Sequence, residues 1–166
     1  MKFMRIAFIQ TGGTIDKDYP KRTGGYAFEI SEPSVERILK RINPGFNYEI
    51  ITAFRKDSLE ITNDDRQDLR KICESISNDK IIITHGTDTM IETAKYLDGI
   101  KDKTIILTGA FLPEKFRDSD AEFNIGVAIG AINFLDFGVF IAMNGCVFPS
   151  SNVDRNRDSG VFLIKK

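Results

Sequence analysis

Ile81-Ile82-Ile83-Thr84-His85-Gly86-Thr87-Asp88-Thr89 is the stretch on which the reading of this chain turns. Three β-branched residues in a row form a buried strand, residues 80–84, and Gly86 gives the backbone a tight turn. The residues after it predict a helix over 88–98, with Ile91, Ala94 and Leu97 on one face. Thr87 stands at the expected N-cap of that helix and Asp88 in its first turn. Capping needs one such side chain, yet Thr84, Thr87, Asp88 and Thr89 crowd the turn together with His85. A strand that ends in this way sets its last side chains at the carboxyl edge of a sheet, where open α/β folds hold ligands.

The same pattern occurs once more, near the N-terminus. Residues 4–9 read as a first buried strand, followed by Gln10-Thr11-Gly12-Gly13-Thr14-Ile15. Residues 10–30 then run without periodicity, an unusual length that marks a functional flap about the site. Glu32-Pro33-Ser34 opens a helix to about Ile42, with Pro33 in its first turn, and Asn43-Pro44-Gly45 ends it. Alternation over residues 46–54 predicts a strand, and Arg55-Lys56-Asp57-Ser58 a polar turn. Thr62-Asn63-Asp64-Asp65 starts another helix, carried on by Leu69, Ile72, Cys73 and Ile76. Residues 104–108 and 138–143 are further strands. Between them residues 124–135 read as an apolar helix, whose Gly126 and Gly130 suggest close packing on the sheet. Residues 146–166 give a weaker signal, with a short strand at 161–164. This alternation predicts an α/β fold, a three-layer sandwich with a mostly parallel sheet and helices on both faces.

The chain has 166 residues, the size of one domain, and its thirteen Phe are ample for one packed core. Twenty-four acidic residues against twenty-three basic ones leave no electrostatic footprint for nucleic acid or an anionic membrane. Cys73 and Cys146 sit in apolar patterns without metal-ligand spacing, which predicts two buried free thiols in a reducing compartment. No apolar run reaches membrane-spanning length and Met1 leads directly into strand sequence, so a cytoplasmic protein is expected.

A threonine hydroxyl becomes a useful nucleophile only when a neighbour accepts its proton. Beside Thr14, Gly12 and Gly13 allow a nest of amide N–H groups suited to an anion or a developing oxyanion. His85 is the only histidine. It stands at a strand end, where packing explains it as well as general-base chemistry does. No nucleophile-elbow serine accompanies it, so a Ser-His-Asp triad is not indicated. The glycines make neither a Walker loop nor a dinucleotide fingerprint. One histidine without clustered thiols does not suit a metal.

Thr11-Gly12-Gly13-Thr14-Ile15 and His85-Gly86-Thr87-Asp88-Thr89-Met90, with Glu92-Thr93-Ala94, resemble the two signature motifs of the bacterial-type L-asparaginases. Asp57-Ser58 is similar to that family's substrate-binding pair, and Thr108-Gly109-Ala110 to its Gly-Ala loop. Ser119-Asp120 through Phe123-Asn124 and Met143-Asn144-Gly145 resemble later family segments, so the likeness spans most of the chain. It implies an asparaginase N-domain-like, Rossmann-like fold over residues 1–166, with the family's smaller C-terminal domain absent. It also implies an amidohydrolase without cofactor that releases ammonia from asparagine or a related small amide. Thr14 would be the nucleophile, with Tyr19 or Tyr26 brought to it by the flap. Thr87 would activate water or relay a proton with Asp88. Asp57, Ser58 and Asp88 would hold the substrate's α-groups, backbone N–H groups of Gly13 and Thr87 would line an oxyanion hole with Gly86 also at the substrate, and the Ala110 carbonyl would receive the amide NH₂. A homodimer or higher homo-oligomer is expected.

Two departures accompany the likeness. Where the family's relay has a lysine, alignment through Val153-Asp154-Arg155-Asn156 places Arg155, which keeps the charge but does not give up a proton. The C-terminal domain would also have lent groups to a neighbouring site. Three other readings therefore stand beside the first: an inactive amino-acid-binding sensor, an amidase for a larger N-substituted amide or peptide, and one part of an assembly with another polypeptide.

Overall fold

The computed structural model describes residues 4–19 and 27–165. In chain order the elements are β1 (Arg5–Gly12), β2 (Lys17–Asp18), β3 (Glu29–Ile30), α1 (Ser34–Ile42), β4 (Asn47–Lys56), α2 (Asn63–Ser75) and β5 (Lys80–Thr84). Then come α3 (Met90–Leu97), β6 (Thr104–Thr108), α4 (Ala121–Ala131), β7 (Gly138–Met143), β8 (Cys146–Pro149), β9 (Val153–Arg155) and β10 (Phe162–Ile164). Six strands form one sheet in the order β4-β1-β5-β6-β7-β8. The first five are parallel and β8 returns antiparallel beside β7. The α/β sandwich expected from the alternation of elements is thus the observed fold.

The central strands carry apolar residues on both faces, as a sheet covered on both sides requires. Ala7, Ile9, Ile81, Ile83, Ile105 and Leu107 face one core with α2, α3, Val153 of β9 and Phe162 of β10. Ile6, Phe8, Ile82 and Ile106 face the other with α1 and α4. The chain passes leftward from β1 to β4 by α1, then rightward by α2, α3 and α4 in turn. Since α4 lies on the face opposite α2 and α3 while moving in the same direction, β6-α4-β7 has the opposite hand to the other three crossovers. It is the exception to the right-handed rule for parallel connections.

Local chemistry explains most boundaries. Thr62 and Asp65 cap α2 reciprocally, by Asp65 N–H to Thr62 Oγ1 at 3.2 Å and Thr62 N–H to Asp65 Oδ2 at 2.8 Å. Asn43 ends α1 in the left-handed conformation. Pro33 is the N-cap of α1 rather than part of its first turn, and has no capping side chain. The distant carboxylate of Asp16 accepts the Ser34 N–H instead, at 2.8 Å.

Several expectations are corrected. β1 does not stop at Ile9 but continues through Gly12, because Gly12 still pairs with Lys56 beyond an irregularity in the ladder. For the same reason Arg55 and Lys56 are strand rather than turn. The expected flap begins as a hairpin, β2 against β3, while Tyr26 and the rest of 20–26 lie outside the described residues. α4 begins and ends earlier than 124–135. Its Gly126 and Gly130 do not pack on the sheet; they are exposed, with nothing within 4 Å of a Cβ built on either. Cys73 is buried but Cys146, at the start of the edge strand β8, is exposed.

Candidate active site

The loops after β1, β4, β5 and β6 all emerge at one edge of the sheet, and backbone packing holds them together. Gly13, at φ +86°, lies so close to Gly86 that a Cβ on it would overlap the Gly86 N and Cα and stand 2.9 Å from the His85 carbonyl carbon. Gly86 in turn packs on Ser58, where a Cβ would come within 2.6 Å of the Ser58 Cβ. A Cβ on Gly109 would overlap the His85 carbonyl oxygen. Three glycines thus remove the side chains that would hold four loops apart. The turns bearing Thr14 and Thr87 lead out of one junction, beside Ser58 and the start of the Gly109-Ala110 loop. Strand order reverses at β1, with β4 on one side and β5 on the other, so this junction is the topological switch point of the sheet.

Thr14 is half-buried and begins a short 3-10 turn that runs to Asp16. That turn is anchored from below. The Gln10 carboxamide donates to Asp16 Oδ2 at 3.0 Å and to the Ser31 carbonyl at 2.8 Å, and accepts from Thr52 Oγ1 at 2.9 Å. Burial raises the Asp16 pKa, against hydrogen bonds from Ser34 and Gln10 that favour the charged form. Gln10 and Asp16 were not marked by the sequence. Asp16, just after the Gly13-Thr14 turn and distant in sequence from the start of α1, gave no local signal of its capping role.

Thr87 is half-buried and Asp88 exposed. Neither caps α3: the helix begins at Met90 with Thr89 at the N-cap, and no side chain caps it. Thr89 Oγ1 donates to the Ser58 carbonyl at 2.7 Å and ties the β5 loop to the β4 loop. Thr87 and Asp88 therefore project from a turn rather than serve a helix end. Asp88 Oδ1 accepts from Arg155 at 2.8 Å. Arg155 comes from β9, donates through Nε to the Gly160 carbonyl at 3.1 Å, and lies between Phe111 and Phe162 with its guanidinium carbon 5.6 and 5.7 Å from the ring centres.

The remaining residues named from the sequence fall around this junction with varied access. Ser58 is only 2% exposed. Asp57 accepts from Lys17 Nζ at 3.1 Å and caps its own short turn through the Leu59 N–H at 3.2 Å. Burial alone would raise the Asp57 pKa, but Leu59 and Lys17 together hold it below the usual carboxylate range. Ala110 is buried, and its loop is held by Asn124, which donates to the Gly109 carbonyl at 3.0 Å. Asp120 accepts the Phe111 and Leu112 N–H groups at 3.0 and 3.1 Å. The Gly13 N–H donates to the Lys56 carbonyl at 3.0 Å, so it is engaged within the protein and is not open to an oxyanion as the resemblance implied. Tyr19 is exposed, and its ring centre lies 4.1 Å from that of Phe28.

His85 lies fully buried beneath the junction. Its Nδ1 is 2.7 Å from the Gly86 carbonyl, and its Nε2 has no hydrogen-bond partner among the described residues. Burial pushes its pKa down to about 4, against the pull of the Gly86 carbonyl, and the Arg66 charge adds to the depression. It is a neutral ring, unsuited to general-base work at the surface of the crevice. Among the described residues no three His, Cys, Asp or Glu side chains are grouped to hold a metal ion, and no helix is long and apolar enough to cross a membrane.

Comparison with known proteins identifies the family and the fold. The family model described as "Asparaginase, N-terminal" matches residues 5–162. The chain is 28% identical over 162 residues to a glutaminase-asparaginase of Acinetobacter glutaminasificans, covering 90% of this chain and 49% of that protein. It is 28% identical over 172 residues to L-asparaginase 2 of Escherichia coli, covering 96% and 49% respectively. The crystal structure of L-asparaginase I from Vibrio cholerae superposes with a TM-score of 0.84 at 21% identity, over 98% of this chain and 51% of that one. The chain spans about half the length of the curated relatives it matches.

Proposed function

Because this chain belongs to the asparaginase family, matching its N-terminal model over residues 5–162, we propose that it is an amidohydrolase acting on the side-chain amide of asparagine or a related small amide. The observation that carries the reading is the contact of Gly13 with Gly86, which joins two threonine-bearing turns more than seventy residues apart. Thr14 Oγ attacks the amide carbon and the C–N bond breaks. The nitrogen leaves as ammonia with a proton passed from the hydroxyl by way of a neighbouring group, Tyr19, Tyr26 or Thr87. Water then adds to the resulting ester, with Thr87 and Asp88 taking its proton, and releases the carboxylic acid and free Thr14. The Thr87 N–H suits the oxyanion, the Ala110 carbonyl the departing NH₂, and Asp88 with Ser58 the α-amino and α-carboxylate groups.

Ammonia release from asparagine, glutamine and N-substituted asparagine tests the reaction and its substrate together. Thr14→Ala is expected to lower turnover by about 10⁴-fold or more, as removal of a covalent nucleophile does, with an unchanged melting temperature. Thr87→Val is expected to lose nearly as much. Wild-type rates in either variant would overturn its assignment.

A second reading rests on Arg155. A guanidinium held between two rings cannot deprotonate, so Asp88 faces a fixed charge where a relay would need an exchangeable one. This favours a sensor that binds an amino acid and turns it over slowly or not at all. Saturable binding of asparagine or aspartate without ammonia release would select it. Under the first reading, Arg155→Lys raises the rate.

A further inference from the structure

The hydrolase mechanism leaves His85 unused, and a space-filling role does not account for it. Leu or Phe would fill a dry site without leaving an unpartnered acceptor, and a buried polar atom without a partner calls for an explanation. A carbonyl oxygen can only accept, so the 2.7 Å contact with Gly86 requires the proton on Nδ1. The bare Nε2 is then the unpartnered atom. The ring is thus held in one tautomer by one bond, and that bond grips the peptide joining Gly86 to Thr87.

We propose that His85 is a positioning residue of the crevice: its Nδ1–H draws the Gly86 carbonyl inward, and the Gly86–Thr87 peptide thereby presents the Thr87 N–H outward to the substrate's amide oxygen. A trans peptide is planar and its C=O and N–H point in opposite directions, so fixing one fixes the other; no cis bond occurs among the described residues. The bond does for one donor what preorganisation does for oxyanion holes in general. With Gly13 pressed on one side of Gly86 and Ser58 on the other, the peptide plane is defined by this bond rather than by a side chain of its own. The substrate half of the inference rests on the amidohydrolase reading, and the hydrogen-bond half does not. The charged group that acts on the ring is Arg66, itself buried and engaged by Thr93, Ile61, Asn63 and Glu92.

Two measurements test it. This is the only histidine of the chain, so its ¹⁵N imidazole resonances need no assignment. They are expected to show a neutral ring protonated at Nδ1, unchanged from about pH 5 to about pH 8. An Nε2-protonated tautomer, or a ring that titrates in that range, overturns the proposal. The second measurement is ammonia release with the melting temperature of each variant. Asn carries an N–H on Cγ, as His carries Nδ1, so His85→Asn is expected to keep kcat within roughly threefold. His85→Gln and His85→Leu lack a donor there and are expected to lose roughly 10- to 100-fold in kcat, with KM little changed, even where Leu is as stable as Asn. A kcat that follows melting temperature without regard to donor position, or wild-type kcat in His85→Leu, overturns the positioning role while leaving the amidohydrolase reading intact. A wild-type protein that releases no ammonia overturns the substrate half together with that reading, and the ring spectrum still judges the hydrogen bond.

Discussion

Gly13 holds φ at +86°, and a methyl group there would run into the Gly86 backbone. Gly126, on the exposed side of α4, meets nothing within 4 Å. The same substitution should therefore act in opposite directions. Gly13→Ala combines a strained φ with overlap against main chain that cannot rotate away, and is expected to cost about 2–4 kcal/mol. Gly126→Ala removes excess unfolded-state freedom within a helix and is expected to add about 0.5–1 kcal/mol. Urea unfolding of both variants checks the pair. Sequence reasoning recognised the importance of Gly12-Gly13 and Gly86 from their place at strand ends. It misjudged Gly126 and Gly130, because four-residue spacing says that two glycines share a helix face and not what that face touches. Cys146 was misjudged likewise: its apolar neighbours suggested burial, but it opens a strand at the sheet edge and is exposed.

At the scale of elements, α1 is fastened to the loop after β6 by a buried carboxylate. The Glu114 side chain, 3% exposed, accepts from Arg37 Nε at 2.8 Å and from Arg41 at 2.7 Å. Burial would raise its pKa, but the two guanidinium groups hold it below the ordinary value of 4.5. A depressed carboxylate contributes stability that is complete above the unfolded pKa and is lost as pH falls through the folded one. Stability should accordingly fall below pH 4.5, and Glu114→Gln is expected to cost about 1–3 kcal/mol at neutral pH and to flatten that acid decline. Equal acid sensitivity in the variant would show that other carboxylates govern it. The strands of the parallel sheet were legible because β-branched runs with short punctuation leave few alternatives. The start of α3 was not, since Thr87, Asp88 and Thr89 are all acceptable caps by residue type; the choice was made by Thr89 reaching Ser58. β8 was missed although Asn144-Gly145, at φ 55° and 78°, is the pair that two-residue hairpins favour.

Taken whole, the molecule protects its two thiols unequally. Cys73 is buried between α2 and the sheet, where desolvation pushes its thiol up to about 12, while Cys146 is exposed. A disulfide-exchange reagent at neutral pH should titrate one thiol in the native protein and two in denaturant; two in the native state would contradict the packing of α2. The fold class was legible in the order of the elements, and the motifs marked the loops that meet at one edge of the sheet. The partners of Asp16 and Glu114 were not legible, since nothing local in either announces its contact, and Arg155 was set beside Asp88 only through the family resemblance. One feature of the topology decides how these partners meet. Because α4 lies on the face that a right-handed turn would not reach, the chain leaving β6 must travel over the end of the sheet. On the way Phe111 stacks against Arg155 beside Phe162, on the α2 and α3 side, and Glu114 arrives at α1 on the other. The span between β6 and α4 thus ties residues on the two faces of the sheet together, and a deletion that shortens it would break one anchorage or the other.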